Sequence, residues 1–198
     1  MSRSTTLLLG LLSVVIFTDA GRAVELRVSG NVLYLSGPIR DGDQFKFRDF
    51  IVDKNIQFIN LKSGGGRLIP AGEIGRQIRN KKISTVVDAT NNLCGSACTV
   101  LFASGVNRYY LNAQNIKDYL GSTKKGKGLA YHHASGWGRD GKRGQLESGT
   151  AQLINWYYEF GTPKASDLAV KAGWKNFYYI SADTALALGI ATSVSKPK

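Results

Sequence analysis

The stretch Leu93-Cys94-Gly95-Ser96-Ala97-Cys98-Thr99-Val100-Leu101-Phe102-Ala103-Ser104-Gly105 decides how the rest of the chain is read. Upstream, Ile83 to Val87 reads as a short buried strand. Downstream, Ala97 to Ala103 is a small-and-apolar run of helical length closed by Gly105. Ser96 therefore falls at a loop-to-helix junction, with Gly95 before it to permit a tight turn. Such a junction holds a hydroxyl out of the core and leaves the first N–H groups of the helix without partners, ready for an anion. A serine nucleophile attacking a carbonyl needs both. The competing reading is an ordinary serine N-cap on a buried helix.

The 198 residues, 43% of them hydrophobic, suffice for one domain with a core. Residues 1–23 stand apart as a secretory signal peptide. Arg3 gives a positive start, Leu7 to Phe17 is apolar but for Gly10 and Ser13, and Thr18-Asp19-Ala20 or Gly21-Arg22-Ala23 offers a cleavage site. A run of 11 residues is too short to span a bilayer. The expectation is a single mature domain, residues 24–198, that is periplasmic or secreted.

Net charge is +12, and removal of residues 1–23 takes away Arg3, Arg22 and Asp19, leaving +11. That excess favours an acidic partner, met through the basic loops at Lys124-Lys125-Gly126-Lys127 and between Arg139 and Arg143. No zinc-binding spacing, RNP-like pattern or basic helix face is present, so nucleic-acid binding is not expected. The two cysteines, Cys94 and Cys98, flank Ser96. On one continuous helix their Cβ atoms would sit about 6 Å apart, too far for an unstrained bridge. With Cys94 in the turn before the helix, a disulfide is feasible and clamps the Ser96 loop; two buried thiols are the alternative.

Taken in order, Val24 to Val28 and Val32 to Leu35 read as a hairpin around Ser29-Gly30-Asn31. Phe45 to Val52 is an amphipathic helix with Phe47, Phe50 and Ile51 on its apolar side, and Ile56 to Leu61 is a strand. Ser63-Gly64-Gly65-Gly66 follows, then a helix over Pro70 to Asn80. The alternation continues through Ser96 and implies βαβ units on a mainly parallel sheet, an α/β fold. In such sheets ligands collect at the carboxyl ends of strands, where both the glycine loop and the Ser96 turn should open. His132 and His133 are the only histidines. Imidazole titrates near neutrality and is the natural base for a serine, and adjacent residues on a strand face opposite ways, so one of the two can meet Ser96. No third ligand stands at a metal-binding spacing, and neither metal nor cofactor is expected. Trp137 to Gly144 reads as a mobile basic loop, and Thr150 to Phe160 as a helix with Leu153, Ile154 and Tyr157 inward and Trp156 and Tyr158 on its flanks. Lys164 to Lys171 and Asp183 to Leu188 are the remaining helices, with Asn176 to Ile180 a strand.

With these pieces in place the chain resembles the ClpP-like serine peptidases of the ClpP/crotonase superfamily, in particular exported bacterial ClpP-like proteins. Leu33-Tyr34-Leu35-Ser36-Gly37-Pro38-Ile39 looks like the family's opening strand. Leu61-Lys62-Ser63-Gly64-Gly65-Gly66 is similar to its Asn-Ser-Pro-Gly-Gly loop, with Lys62 and Gly64 in place of Asn and Pro. Gly95-Ser96-Ala97 with Ala103-Ser104-Gly105 matches the nucleophile segment, and Leu129-Ala130-Tyr131-His132 the strand that delivers the histidine. Ile180-Ser181-Ala182-Asp183-Thr184-Ala185-Leu186-Ala187-Leu188-Gly189-Ile190-Ala191 is similar to the closing motif. The resemblance implies a spiral of βαβ units, Ser96 as nucleophile, His132 as general base, and the N–H groups of Gly65 and Ala97 as oxyanion hole. It also implies a peptide or protein substrate and a homo-oligomer.

Two departures accompany it. Ser96 and His132 are 36 residues apart, longer than usual, so Asn112 to Lys127 looks like an insertion. Between Lys171 and Tyr179 no carboxylate stands where a third triad member belongs. Asn176 is the nearest polar candidate, with Asp167 and Asp183 as alternatives and Lys62 as the base of a serine–lysine dyad like that of the related signal peptide peptidases. The rival functions are a catalytically degenerate module that binds or assembles through its basic surface, and an acyl-CoA activity of the crotonase type, against which export argues.

Overall fold

Alternating apolar residues near the amino terminus build the first sheet. The structure, a computed structural model, describes residues 23–121, 126–137 and 142–197. The expected signal peptide, save Ala23, and the basic residues Lys124, Lys125 and Arg139 lie outside the described residues. Strands β1 (Glu25–Ser29) and β2 (Val32–Ser36) pair antiparallel through the turn at Gly30, whose φ of 59° suits glycine. Strands β3 (Phe58–Lys62), β4 (Ser84–Asp88) and, beyond the next crossover, the segment Arg108–Leu111 then add in parallel. Leu33, Leu35, Ile59 and Leu61 alternate inward and are fully buried.

Helices cover that inner face. Helix α1 (Asp43–Ile51) buries Phe47 and Ile51, and α2 (Leu68–Asn80) buries Ile74 and Ile78 one turn apart, each on the face that its periodicity marked. Helix α3 (Ala97–Ser104) buries all eight of its residues, so it has no polar stripe to reveal its orientation. A second sheet stands beside the first. It contains β5 (Leu93–Gly95), β7 (Tyr119–Gly121), β8 (Gly128–Tyr131) and β11 (Phe177–Tyr179), with β6 (Arg108–Leu111) belonging to the first sheet. The order is β5-β8-β11-β7, parallel between β5 and β8 and antiparallel elsewhere. The fold is thus α/β, with its larger sheet mainly parallel.

The structure departs from the sequence reading where elements are short. The basic segment read as a mobile loop is flanked by β9 (Ser135–Trp137) and β10 (Arg143–Gln145), paired antiparallel. Three-residue strands carry no legible period. Helix α4 (Glu147–Glu159) begins three residues before Thr150, and Trp156 is buried rather than flanking. Its indole fills the notch at Gly72, where a Cβ would lie 2.0 Å from the ring. After α5 (Lys164–Ala172) and β11, α6 (Ala182–Ala187) closes the fold.

Two polar devices fasten the closing segment. The buried Arg108 guanidinium donates to the carbonyls of Ile190 at 2.7 Å, Gly189 at 3.0 Å and Gly105 at 3.3 Å. Burial, with the nearby Arg79, lowers its pKa from the usual arginine value. From the expected insertion, the Asp118 carboxylate accepts from the Ser181 amide at 2.7 Å and the Thr184 hydroxyl at 2.6 Å. Desolvation alone would raise the pKa of Asp118, but these donors outweigh it and the net shift is downward. Asp118 thereby docks its own segment on the start of α6.

Candidate active site

Ser96 sits between the end of β5 and the start of α3 with φ 57° and ψ −130°. A residue with a Cβ rarely adopts that conformation, and a serine held there at a strand-to-helix turn has the geometry of a nucleophile elbow. The N-cap alternative is not what forms: the side chain makes no capping hydrogen bond, and the hydroxyl bonds no described residue, His132 included. Ser96 is fixed through its backbone instead. Its amide donates to the Ala130 carbonyl at 3.0 Å, and its carbonyl accepts from the Thr99 amide at 2.9 Å and the Thr99 hydroxyl at 2.5 Å. Because the Thr99 proton is thus committed, the Tyr157 hydroxyl, 2.7 Å away, donates to Thr99. Full burial pushes the Tyr157 pKa upward and keeps it a donor.

Cys94 and Cys98 are joined in a disulfide, with Cα atoms 5.2 Å apart and both residues fully buried. Cys94 lies on β5 rather than on the helix, the arrangement that makes such a bridge feasible. The covalent loop encloses Gly95, Ser96 and Ala97.

The parallel register Gly95↔Ala130 places the residues following β5 and β8 side by side. His132 is buried just past β8, with its ring centroid 4.3 Å from that of Phe177, and it lines the same cleft as Ser96. That cleft holds about 200 Å³ and has Leu68, Leu146 and Leu153 as apolar walls, with Arg67 and Arg143 at its rim. His133 turns away, its amide donating to the Gly173 carbonyl.

The glycine loop crosses beside β5, since Ser63 and Cys94 form a parallel bridge. Gly65 packs directly on Ser96: a Cβ there would lie 2.6 Å from the Ser96 Cβ and 3.0 Å from the Ala97 nitrogen. Its N–H, however, donates to Ser63 Oγ at 3.1 Å. The N–H of Gly66, one residue on, meets no acceptor among the described residues, and Gly66 lines the Ser96 cleft whereas Gly65 does not. The Ala97 N–H, at the first position of α3, is likewise without an acceptor. The sequence expectation named Gly65; of the two amides it is that of Gly66, beside the Ile39–Gly66 bridge, that bonds no described residue.

Asn176 makes no side-chain hydrogen bond with a described residue and directly precedes Phe177, whose ring centroid lies 4.3 Å from that of His132. On the exposed face of α5, Asp167 faces Lys164 at 3.9 Å, and Asp183 lies in the first turn of α6. Lys62 is exposed at the end of β3 and lines a neighbouring cleft, not that of Ser96. Among the described residues no carboxylate lines the Ser96 cleft.

No protein-family model and no curated protein sequence matches this chain. Among solved structures, the fold is similar to that of a membrane-bound stomatin-specific protease. A lysine-to-alanine variant of that protease, in complex with a substrate peptide, gives a TM-score of 0.57 at 15% identity, over 83% of this chain and 74% of that one. A serine-to-alanine variant gives 0.58 at 15% identity, over 86% and 82% respectively. The chain shares the fold of that protease.

Proposed function

We propose that this protein is an exported ClpP-like serine hydrolase that cleaves peptide bonds through an acyl-enzyme on Ser96. The observation that carries the reading is the strained Ser96 turn, its hydroxyl open to a cleft that it shares with His132. In the proposed cycle Ser96 Oγ attacks the scissile carbonyl carbon while the His132 imidazole takes the hydroxyl proton. The Gly66 and Ala97 N–H groups, in place of the Gly65 and Ala97 pair, stabilise the resulting oxyanion. Collapse expels the amine, which receives the proton from His132, and water then attacks the ester with the same imidazole as base. The apolar walls suit a hydrophobic side chain beside the scissile bond.

Export is supported by the disulfide, since such bridges persist in oxidising compartments. The N-terminal residue of protein recovered from the periplasm or the medium tests it: an intact Met1 would sink this part. Assembly into a homo-oligomer, implied by the resemblance, is tested by the mass in solution.

Labelling of the purified protein with a fluorophosphonate tests the chemistry. Stoichiometric modification at Ser96, abolished in Ser96→Ala and reduced in His132→Ala, is expected. No labelling of the parent protein would overturn the hydrolase reading. The absence of a carboxylate lining the cleft among the described residues favours one second reading, a binding module on the same fold, and that result would leave it standing.

A further inference from the structure

A second, wider cleft of about 660 Å³ lies across the glycine loop from Ser96. Gly66 lines both clefts, so a chain seated over the loop passes from one into the other. The second cleft carries three cations, Arg40, Lys62 and Lys127, and no carboxylate lines it among the described residues. The Lys127 ammonium is anchored on the Thr90 carbonyl. The side chains of Arg40 and Lys62 make no hydrogen bond or ion pair with a described residue. The nearby acids are engaged elsewhere: Asp41 with Arg67, Asp43 with the Val24 and Arg40 amides, and Asp88 with Thr90 and Asn112. The first cleft differs, because its Arg67 is paired and its Arg143 donates to Ser135.

We infer that this cleft is a specificity subsite for acidic peptide, reading aspartate or glutamate side chains in the segment that extends from the scissile bond over Gly64–Gly66. The inference rests on the proposed hydrolase reading for its choice of substrate. The floor is glycine backbone, in which the Gly64 N–H and C=O bond no described residue and are available to an extended peptide. No aromatic ring lines it, so nothing is there to stack a nucleic-acid base. Two cations with no partner among the described residues, held on a narrow floor, gain Coulomb energy from a carboxylate without first breaking an ion pair.

The test is binding to the full-length mature protein carrying Ser96→Ala, so that no turnover intervenes. A fluorescein-labelled glutamate-rich peptide and its glutamine counterpart are compared by anisotropy at about 150 mM salt. The acidic peptide is expected to bind about tenfold tighter, a plausible sum for a few partly exposed charge contacts. Arg40→Gln/Lys62→Gln should abolish most of that preference without moving the melting temperature. Lys54→Gln/Lys81→Gln, an equal charge change at the opposite end of the sheet, should keep it. Equal binding of the two peptides, equal loss in both double variants, or stronger displacement by a single-stranded oligonucleotide than by unlabelled acidic peptide would each overturn the inference. Failure of fluorophosphonate labelling would instead strike the hydrolase reading, because binding is measured on a protein that lacks the serine.

Discussion

The Ser96 amide donates to the Ala130 carbonyl at 3.0 Å, which pins the elbow to a point two residues ahead of His132 on the neighbouring strand. Nucleophile and histidine are separated by 36 residues of chain yet are positioned by one inter-strand register. Whatever holds β5, β8 and the glycine loop together therefore holds the site, and the predictions below probe those supports.

Gly65 has φ 96°, and an added Cβ would collide with the Ser96 Cβ at 2.6 Å and the Gly95 carbonyl oxygen at 2.7 Å. Gly65→Ala should therefore displace the elbow, and the rate of fluorophosphonate labelling at Ser96 should fall by about a hundredfold, the usual consequence of misplacing a reacting atom by an ångström. Labelling at the parent rate would show that the loop does not press on the serine.

Removing the disulfide with Cys94→Ala/Cys98→Ala frees the elbow in the unfolded chain. Loop-closure entropy for so short a loop corresponds to about 2 kcal/mol, or roughly 4–8 °C in melting temperature for a chain of this size. Calorimetry checks this, and slower Ser96 labelling should accompany it. An unchanged melting temperature would mean that the bridge adds nothing to stability.

The Tyr110 hydroxyl donates to the Ile180 carbonyl at 2.9 Å and accepts from the Leu129 amide at 3.2 Å, tying β6 to the second sheet. Burial raises its pKa to about 12, against about 10 when unfolded. Its contribution is therefore complete below pH 10 and is lost as pH rises towards 12. Tyr110→Phe should lose about 1–3 kcal/mol at neutral pH, because two buried groups lose their partner. Above pH 10 its stability should fall less steeply than the parent's by one proton's worth, about 1.4 kcal/mol per pH unit. Parallel alkaline limbs in urea titrations would contradict this.

Arg108→Met keeps the unbranched apolar stem of the side chain but leaves the carbonyls of Gly105, Gly189 and Ile190 without their donor. A loss of about 2–4 kcal/mol is expected in denaturant unfolding. A midpoint within experimental error of the parent would show that water replaces the guanidinium.

The alternation of strands and helices was legible because Leu33, Leu35, Ile59, Ile74 and Ile78 recur at strand and helix periods, and burial selects those positions. Strands β5, β7, β9 and β10 were not, because three residues give no period, and the partners of β5 and β7 are distant in sequence. Trp156 was assigned to a flank since helical spacing alone does not reveal that Gly72 leaves a notch for an indole. In the glycine loop, composition pointed to the right segment, but the Ser63 hydroxyl takes the Gly65 N–H and leaves that of Gly66 open.

By itself the sequence determined the α/β class, the residue types at the elbow and the conditional feasibility of the Cys94–Cys98 bridge, because periodicity, turn chemistry and cysteine spacing are local properties. Only the tertiary structure decided that Ser96 adopts φ 57°, that Cys94 lies on a strand, and that the Gly65 N–H bonds Ser63 Oγ while that of Gly66 bonds no described residue. Each of these depends on which strand lies beside which, and register is set by burial across the whole sheet rather than by neighbours in the chain.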